Sequence, residues 1–255
     1  RKHITTQGFS MPYFAHHSIL ITGATGGIGR ALTHALTEAG ALVVATGRST
    51  EALERLTGAP SDPLKEIPAD LSHADGREAL LAQIQSYHIS GIIHAAGVQF
   101  SQNIPEGLAK HPRQSELELA LNLQAPVHLT SALLPTLAQH PKPFVSAITS
   151  SLALAPKRDA PTYCATKAGL RHYLRALRYQ CADAIPQLLV NEVLPALVDT
   201  PMTAGRGTGK DSPEKVATQI LRGLVDQKTE TWIGKARLLR GINRVSPALA
   251  ARILR

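Results

Sequence analysis

The segment Thr22-Gly23-Ala24-Thr25-Gly26-Gly27-Ile28-Gly29 constrains the fold of this chain more than any other. An apolar run, Ser18 to Thr22, leads into it, and a stretch with helical spacing follows directly. Between Ile28 and Ala39, residues Ile28, Leu32, Ala35, Leu36 and Ala39 share one face, as in a helix laid against a sheet. Glycines at the joint let the backbone turn sharply and admit a ligand close to the main chain. A pyrophosphate suits such a turn, because the free N–H groups at a helix N-terminus favour negative charge. Strand, glycines and helix in this order predict the start of a dinucleotide-binding βαβ unit. The Lys-Ser/Thr pair of a nucleoside triphosphatase loop does not follow the glycines.

Six further apolar segments follow: Leu42 to Thr46, Glu66 to Asp70, Gly91 to Ala95, Phe144 to Thr149, Leu188 to Leu194 and Glu230 to Ile233. Helix-like stretches separate most of them, the alternation of a parallel sheet covered on both faces. The expected fold is therefore α/β: a single Rossmann-like domain over residues 18–255, with a doubly wound seven-stranded parallel sheet and helices on both faces. A chain of 255 residues buries enough apolar surface for one such domain. Residues 1–17 read as a polar, tag-like leader outside the fold, with Met11 in a start-like position. The Gly-rich, charged stretch Thr203 to Ser212 has no apolar period and reads as a mobile loop.

Composition excludes several classes. Cys164 and Cys181 cannot build a disulfide framework and show no metal-ligand spacing, so no metal is expected and a cytoplasmic location is. No apolar run is long enough to span a bilayer. The formal charge of +8 is scattered, without a basic stripe interleaved with aromatics, so it predicts an anionic small molecule and no nucleic acid.

The second apolar segment runs into Gly47-Arg48. A carboxylate there would bind the ribose hydroxyls of NAD, whereas Arg48 can pair with the 2′-phosphate of NADP. NADP(H) is the expected cofactor, with NAD(H) as the alternative; a solvated loop charge is the plainer reading of Arg48. Asp70, at the end of the third segment before Leu71, is placed either to meet the adenine edge or to cap the following helix. Tyr163 and Lys167 lie four apart within a helical stretch and so share a face. An ammonium beside a phenol favours the phenolate and is expected to lower the tyrosine pKa from about 10, giving an acid/base near neutrality. Ser150, at the end of the fifth segment, could polarise the same carbonyl. Taken singly, Tyr163 reads as a half-buried helix residue, Lys167 as a surface charge and Ser150 as a cap.

Together, Thr22-Gly-x-x-x-Gly-x-Gly, Asp70-Leu71, Ala96-Gly97, Asn122, Ser150 and Tyr163-x-x-x-Lys167 resemble the motif series of the short-chain dehydrogenases/reductases, in order and at family-like separations. Leu152-Ala153-Leu154-Ala155-Pro156 is similar to the DltE-type subgroup and supports Ser150 over its neighbour Ser151. The resemblance implies hydride transfer between nicotinamide and a carbonyl or alcohol. It makes Tyr163 the proton donor, has Lys167 also bind the nicotinamide ribose, has Ser150 orient the carbonyl, and has Asn122 hold a relay water. The cofactor set it implies comprises Thr22, Gly23, Thr25, Gly26, Gly27, Ile28, Gly29, Gly47, Arg48, Asp70, Leu71, Ala95, Ala96, Gly97, Tyr163, Lys167, Pro195, Val198 and Thr200. It also makes Thr203 to Ser212 a substrate lid and implies a homodimer or homotetramer.

Three positions depart from the family pattern. His94-Ala95-Ala96-Gly97 replaces Asn-Asn-Ala-Gly and removes an asparagine that ties the central strand to its neighbour; His94 reads as a polar strand end near the cofactor. Pro195-Ala196 replaces Pro-Gly, and Gly26 stands where many NADP-dependent members carry a basic residue. From Ala236 to Arg255, Leu238, Leu239, Ile242, Val245, Leu249 and Ile253 alternate with five arginines around Pro247. That tail reads as paired amphipathic helices forming a subunit contact or an active-site lid, rather than a membrane anchor. The competing functions are an NADP(H)-binding sensor and an epimerase or dehydratase. The full Ser, Tyr, Lys and Asn set argues against the first, and the short chain beyond the sixth segment against the second.

Overall fold

A computed structural model describes residues 13–56, 63–108 and 110–254. The glycine turn joins β1 (Ser18–Thr22) to α1 (Gly27–Glu38), which leads to β2 (Leu42–Gly47), α2 (Thr50–Glu54) and β3 (Leu64–Pro68). The chain then crosses through α3 (Ala74–Ile84) to β4 (Gly91–His94). Beyond it come α4 (Lys110–Leu119), a π-helical turn (Ala120–Gln124), α5 (Ala125–Leu137) and β5 (Phe144–Ile148). The long α6 (Pro161–Ala184), β6 (Leu189–Pro195), α7 (Pro213–Val225), β7 (Glu230–Ile233), α8 (Ala236–Val245) and α9 (Pro247–Leu254) complete it.

All neighbouring strands are parallel, in the order β3-β2-β1-β4-β5-β6-β7. Because β1 pairs with β2 on one side and β4 on the other, the connections diverge there and open a crevice at the strand C-termini. This is the seven-stranded, doubly wound, Rossmann-like sheet expected, with helices on both faces.

The strands alternate sides, so each face acquires its own core. Ile19, Ile21, Val43 and Val193 meet Leu32 and Leu36 of α1 and Val216, Ile220 and Leu224 of α7. Leu20, Val44, Ile92 and Val145 face Leu80 of α3, Leu129 and Leu133 of α5, and Leu170 and Leu174 of α6. Each such buried aliphatic contributes about 1.5–3 kcal/mol, which fixes the height of the helices that carry site residues.

Two expectations need correction. Residues 1–12 lie outside the described residues, but 13–17 are not a free leader. Phe14 is fully buried, meets Phe144 edge-on at 6.4 Å, and the buried His17 bonds Ser90 through Nδ1 at 3.0 Å. The third strand runs from Leu64 to Pro68 rather than from Glu66 to Asp70: the Ala69 N–H still donates to Gly47 O at 2.9 Å, but β2 ends at Gly47 and offers this edge strand no further partner. The first and seventh strands match expectation, the second, fourth and fifth differ by one residue at the C-terminal end, and the sixth is shifted by one residue at both ends, to Leu189–Pro195.

Candidate active site

Gly23 adopts φ +65°, and a Cβ there would lie 2.6 Å from the Ala96 Cα, so β1 and the exit of β4 touch through their main chains. A Cβ on Gly29 would collide with the Gly23 carbonyl oxygen, and one on Gly27 would lie 2.6 Å from Thr200 Cγ2. These glycines hold the turn closed. Gly26 differs: it caps α1 at φ −74° and ψ 167°, and a Cβ there would have only the Gly23 oxygen, 3.3 Å away, within reach. The turn thus leaves open space in front of the α1 N-terminus, where a phosphate would lie.

A cavity of about 870 Å³ runs from this turn across the strand ends. Gly23, Thr25, Gly26, Gly27, Ile28 and Gly29 line it from β1 and α1, and Gly47 and Arg48 from β2. Leu71 and the Ala95-Ala96-Gly97 segment form its floor, and Pro195, Val198 and Thr200 its far wall. Ser150, Tyr163 and Lys167 face into the same space.

Three sequence-predicted residues stand apart from it. Thr22 lies beneath, its hydroxyl accepting the Ala96 N–H at 3.2 Å, which ties β1 to the β4 exit. Asp70 does not line the cavity: its Oδ1 accepts from the Ser72 N–H at 3.0 Å and the Ser72 hydroxyl at 2.7 Å. It therefore builds the turn into α3. Asn122 is fully buried in the π turn, where Oδ1 accepts the Val98 N–H at 2.9 Å and Nδ2 donates to Val98 O and Thr166 Oγ1. Both Nδ2 donors are thereby used, and one lone pair of Oδ1 is left over on the side chain.

Ser150 Oγ accepts the Leu152 N–H at 3.1 Å and also bonds Tyr163. The capping role and the site role coexist. Tyr163 and Lys167 sit on α6 with Nζ 5.7 Å from the ring centroid, and Nζ donates to the Ile148 carbonyl at 2.8 Å. Both are buried, so Lys167 is no surface charge. The expected lowering of the tyrosine pKa is overturned: burial pushes Tyr163 up to about 12, against the opposing bond from Ser150. Burial also pulls Lys167 down to about 8. Tyr163 thus holds its proton at neutral pH, the state a proton donor needs.

An anchor that local spacing only hints at holds α6 in place. Arg171, one turn beyond Lys167, reaches Glu192 of β6 at 2.5 Å and Glu230 of β7 at 3.0 Å, and Thr149 Oγ1 donates to Glu192 at 2.8 Å. His94 Nε2 bonds Thr130 Oγ1 at 2.9 Å, and burial drops its pKa to about 3, so it stays neutral. Among the described residues no cluster of side chains could hold a metal ion, and no helix is long and apolar enough to cross a membrane.

The roof comes from the far end of the chain. Leu239, Ile242 and Leu254 of α8 and α9 pack with Ala155 and line the cavity, so the C-terminal helices form a lid. The Thr203–Ser212 loop lies beside them. It is tied down through Asp199 N–H to Asp211 O at 2.9 Å and through Lys210 Nζ to Thr203 O at 2.7 Å.

A switch-point crevice with a glycine turn, and a Ser, Tyr and Lys set at its floor, defines a Rossmann-type oxidoreductase. The chain belongs to the short chain dehydrogenase family, whose model matches residues 17–211. It is 31% identical over 238 residues to the uncharacterized oxidoreductase DltE of Bacillus subtilis, covering 90% of this chain and 92% of that one. Among solved structures it superposes on a short chain dehydrogenase from Burkholderia cenocepacia in complex with NADP, with TM-score 0.83, 24% identity, and coverage of 94% and 98%. It likewise matches a short-chain dehydrogenase from Sphingobium yanoikuyae in complex with NADPH, with TM-score 0.77, 23% identity, and coverage of 92% and 93%.

Proposed function

We propose that this protein is an NADP(H)-dependent oxidoreductase that interconverts a carbonyl compound and its alcohol. The observation that carries the reading is the buried Ser150, Tyr163 and Lys167 set, facing the same cavity as the glycine turn. The residues present fit a dinucleotide: the open space before Gly26 admits a pyrophosphate, and Gly97 keeps clear a surface where a Cβ would press on Asn122 Oδ1 at 3.1 Å. When bound, the nicotinamide supplies the hydride for reduction or accepts it in oxidation.

The chain's own groups do the rest. Tyr163, protonated at neutral pH, gives its proton to the developing alkoxide, and Ser150 donates a hydrogen bond to the same oxygen. Lys167 stabilises the phenolate left behind and can hold the nicotinamide ribose. Asn122 acts as a positioning residue, fixing Val98 and with it the cavity floor. Gly47 and the exposed Arg48 past β2 favour the 2′-phosphate of NADP(H), in keeping with the NADP and NADPH named for the two similar structures. We place the activity in one domain that takes in residues 13–17 together with the sheet and its helices, and in the cytoplasm, where the free, buried Cys164 and Cys181 stay reduced. A homodimer or homotetramer is the expected assembly, and the exposed Leu119 and Tyr179 offer it apolar surface.

The test is an NADPH-oxidation screen over ketones, β-keto esters, quinones and aldehydes, with Tyr163→Phe as control. Turnover is expected to drop about 10²–10⁴-fold in the variant while NADPH binding persists. Turnover that survives the substitution refutes the mechanism.

A further inference from the structure

The charged side chains on the cavity wall differ in whether they are already paired. Lys157 meets Asp159 at 2.9 Å and Asp211 meets Lys215 at 2.6 Å, so both are neutralised locally. Lys167 serves Tyr163, and Arg48 stands past β2, on the side of β1 away from Ser150. Arg206 and Lys235 also line the cavity, yet among the described residues neither makes an ion pair or a side-chain hydrogen bond.

Both stand at the Thr203–Ser212 loop, on the rim of the cavity. Arg206 is half-buried on the Thr203–Ser212 loop, and its charge is felt at the Tyr163 phenol. Lys235 precedes α8, and its Nζ lies 3.1 Å from where a Cβ of Gly209 would be, so it leans over the same loop. Beside these cations the wall turns apolar, with Leu152, Leu239, Ile242 and Leu254 beneath the C-terminal lid. Two unpaired cations against an apolar wall match an anion carried on a hydrocarbon arm.

Building on the proposed oxidoreductase activity, we infer that the substrate is an amphiphilic anion: a carbonyl compound whose acidic group pairs with Arg206 and Lys235 and whose aliphatic arm lies under α8 and α9. The planar guanidinium of Arg206 matches either a carboxylate or a phosphate ester. The apolar wall selects for chain length.

Equilibrium titration of the protein with NADP+ present tests this without requiring turnover. Decanoate, decyl phosphate and decanol are compared on wild type, Arg206→Gln and Lys235→Gln, and hexanoate on wild type. At least one decyl anion is expected to bind about tenfold or more tighter than decanol, and each substitution to weaken it by about tenfold. Decanoate should exceed hexanoate, by up to about fourfold per methylene. NADP+ affinity and thermal midpoint should be unchanged in both variants. Decanol binding as well as both anions, or anion affinity surviving both substitutions, overturns the inference. So does a loss of NADP+ affinity in the variants, which would make the cations ligands of the cofactor. Failure of the oxidation screen alone would strike the catalytic reading and leave this result standing.

Discussion

Alanine at Gly23 and at Gly26 should separate the glycine that holds the turn from the one that only borders it. At Gly23 the backbone is left-handed, φ +65°, which costs a non-glycine residue about 1–2 kcal/mol. The added methyl would also lie 2.6 Å from Ala96 Cα and 2.7 Å from Ala96 N, both main chain, so relief requires moving the exit of β4. Overpacking of that kind costs about 1–3 kcal/mol. The sum, near 3 kcal/mol, corresponds to a thermal midpoint lower by about 6–12 °C for a domain of this size. At Gly26 the angles suit any residue and the nearest atom is 3.3 Å away, so the reduced freedom of the unfolded chain roughly offsets the poorer cap. Gly26→Ala should melt within about 2 °C of wild type and bind NADPH within about threefold of it, because this is the position where many NADP-dependent members carry a larger, basic side chain. Gly23→Ala, whose strain displaces the exit of β4 from the cavity, should lose affinity as well as stability. Scanning calorimetry and NADPH fluorescence titration on the two variants decide the matter. A stable Gly23→Ala, or a Gly26→Ala that melts as low as Gly23→Ala, refutes the reasoning.

Three further outcomes follow from the site. With Lys167 lowered to about 8 by burial, its charge is present below that pH and lost above it, so kcat/KM for reduction should decline above pH about 8. Lys167→Arg should move that decline upward, and a break that stays in place refutes the assignment. Arg48→Asp should shift the ratio of kcat/KM for NADPH over NADH by about tenfold or more toward NADH; an unchanged ratio removes Arg48 from phosphate recognition. Asn122→Ala strands the Val98 N–H and should lower stability by about 2–4 kcal/mol together with kcat, whereas denaturant curves matching wild type would show that the amide anchors nothing.

The parts of this protein that could be read from sequence are those whose geometry is set by covalent spacing. The glycine turn and the Tyr163, Lys167 pair each lie within one element or one junction, so residue order alone places them. Seven strands emerge because each is a short apolar run between polar breaks. Of the two roles sequence left open for Asp70, the turn into α3 prevails because β2 ends at Gly47 and leaves the third strand no further partner, while Ser72, two residues on, holds the carboxylate. The tyrosine pKa was misjudged for a related reason: spacing reveals a neighbouring charge, but only three-dimensional packing reveals how far water is excluded from it. Arg206 and Lys235 carry no motif at all. They line one cavity because the loop after β6 and the start of α8 after β7 border the same opening, a long-range coincidence with no local signature.

The lid of α8 and α9 packs on Ala155, and α8 also reaches the anchor beneath α6, since Arg240 pairs with Glu230 at 3.7 Å and lies over the Trp232 ring at 4.8 Å. Arg171 and Arg240 thus converge on one carboxylate, so the covering helices and the helix that carries Tyr163 and Lys167 share a support. A tail grafted from a relative would have to bring its own cation for Glu230, and without one the change of lid would be felt at the seat of α6.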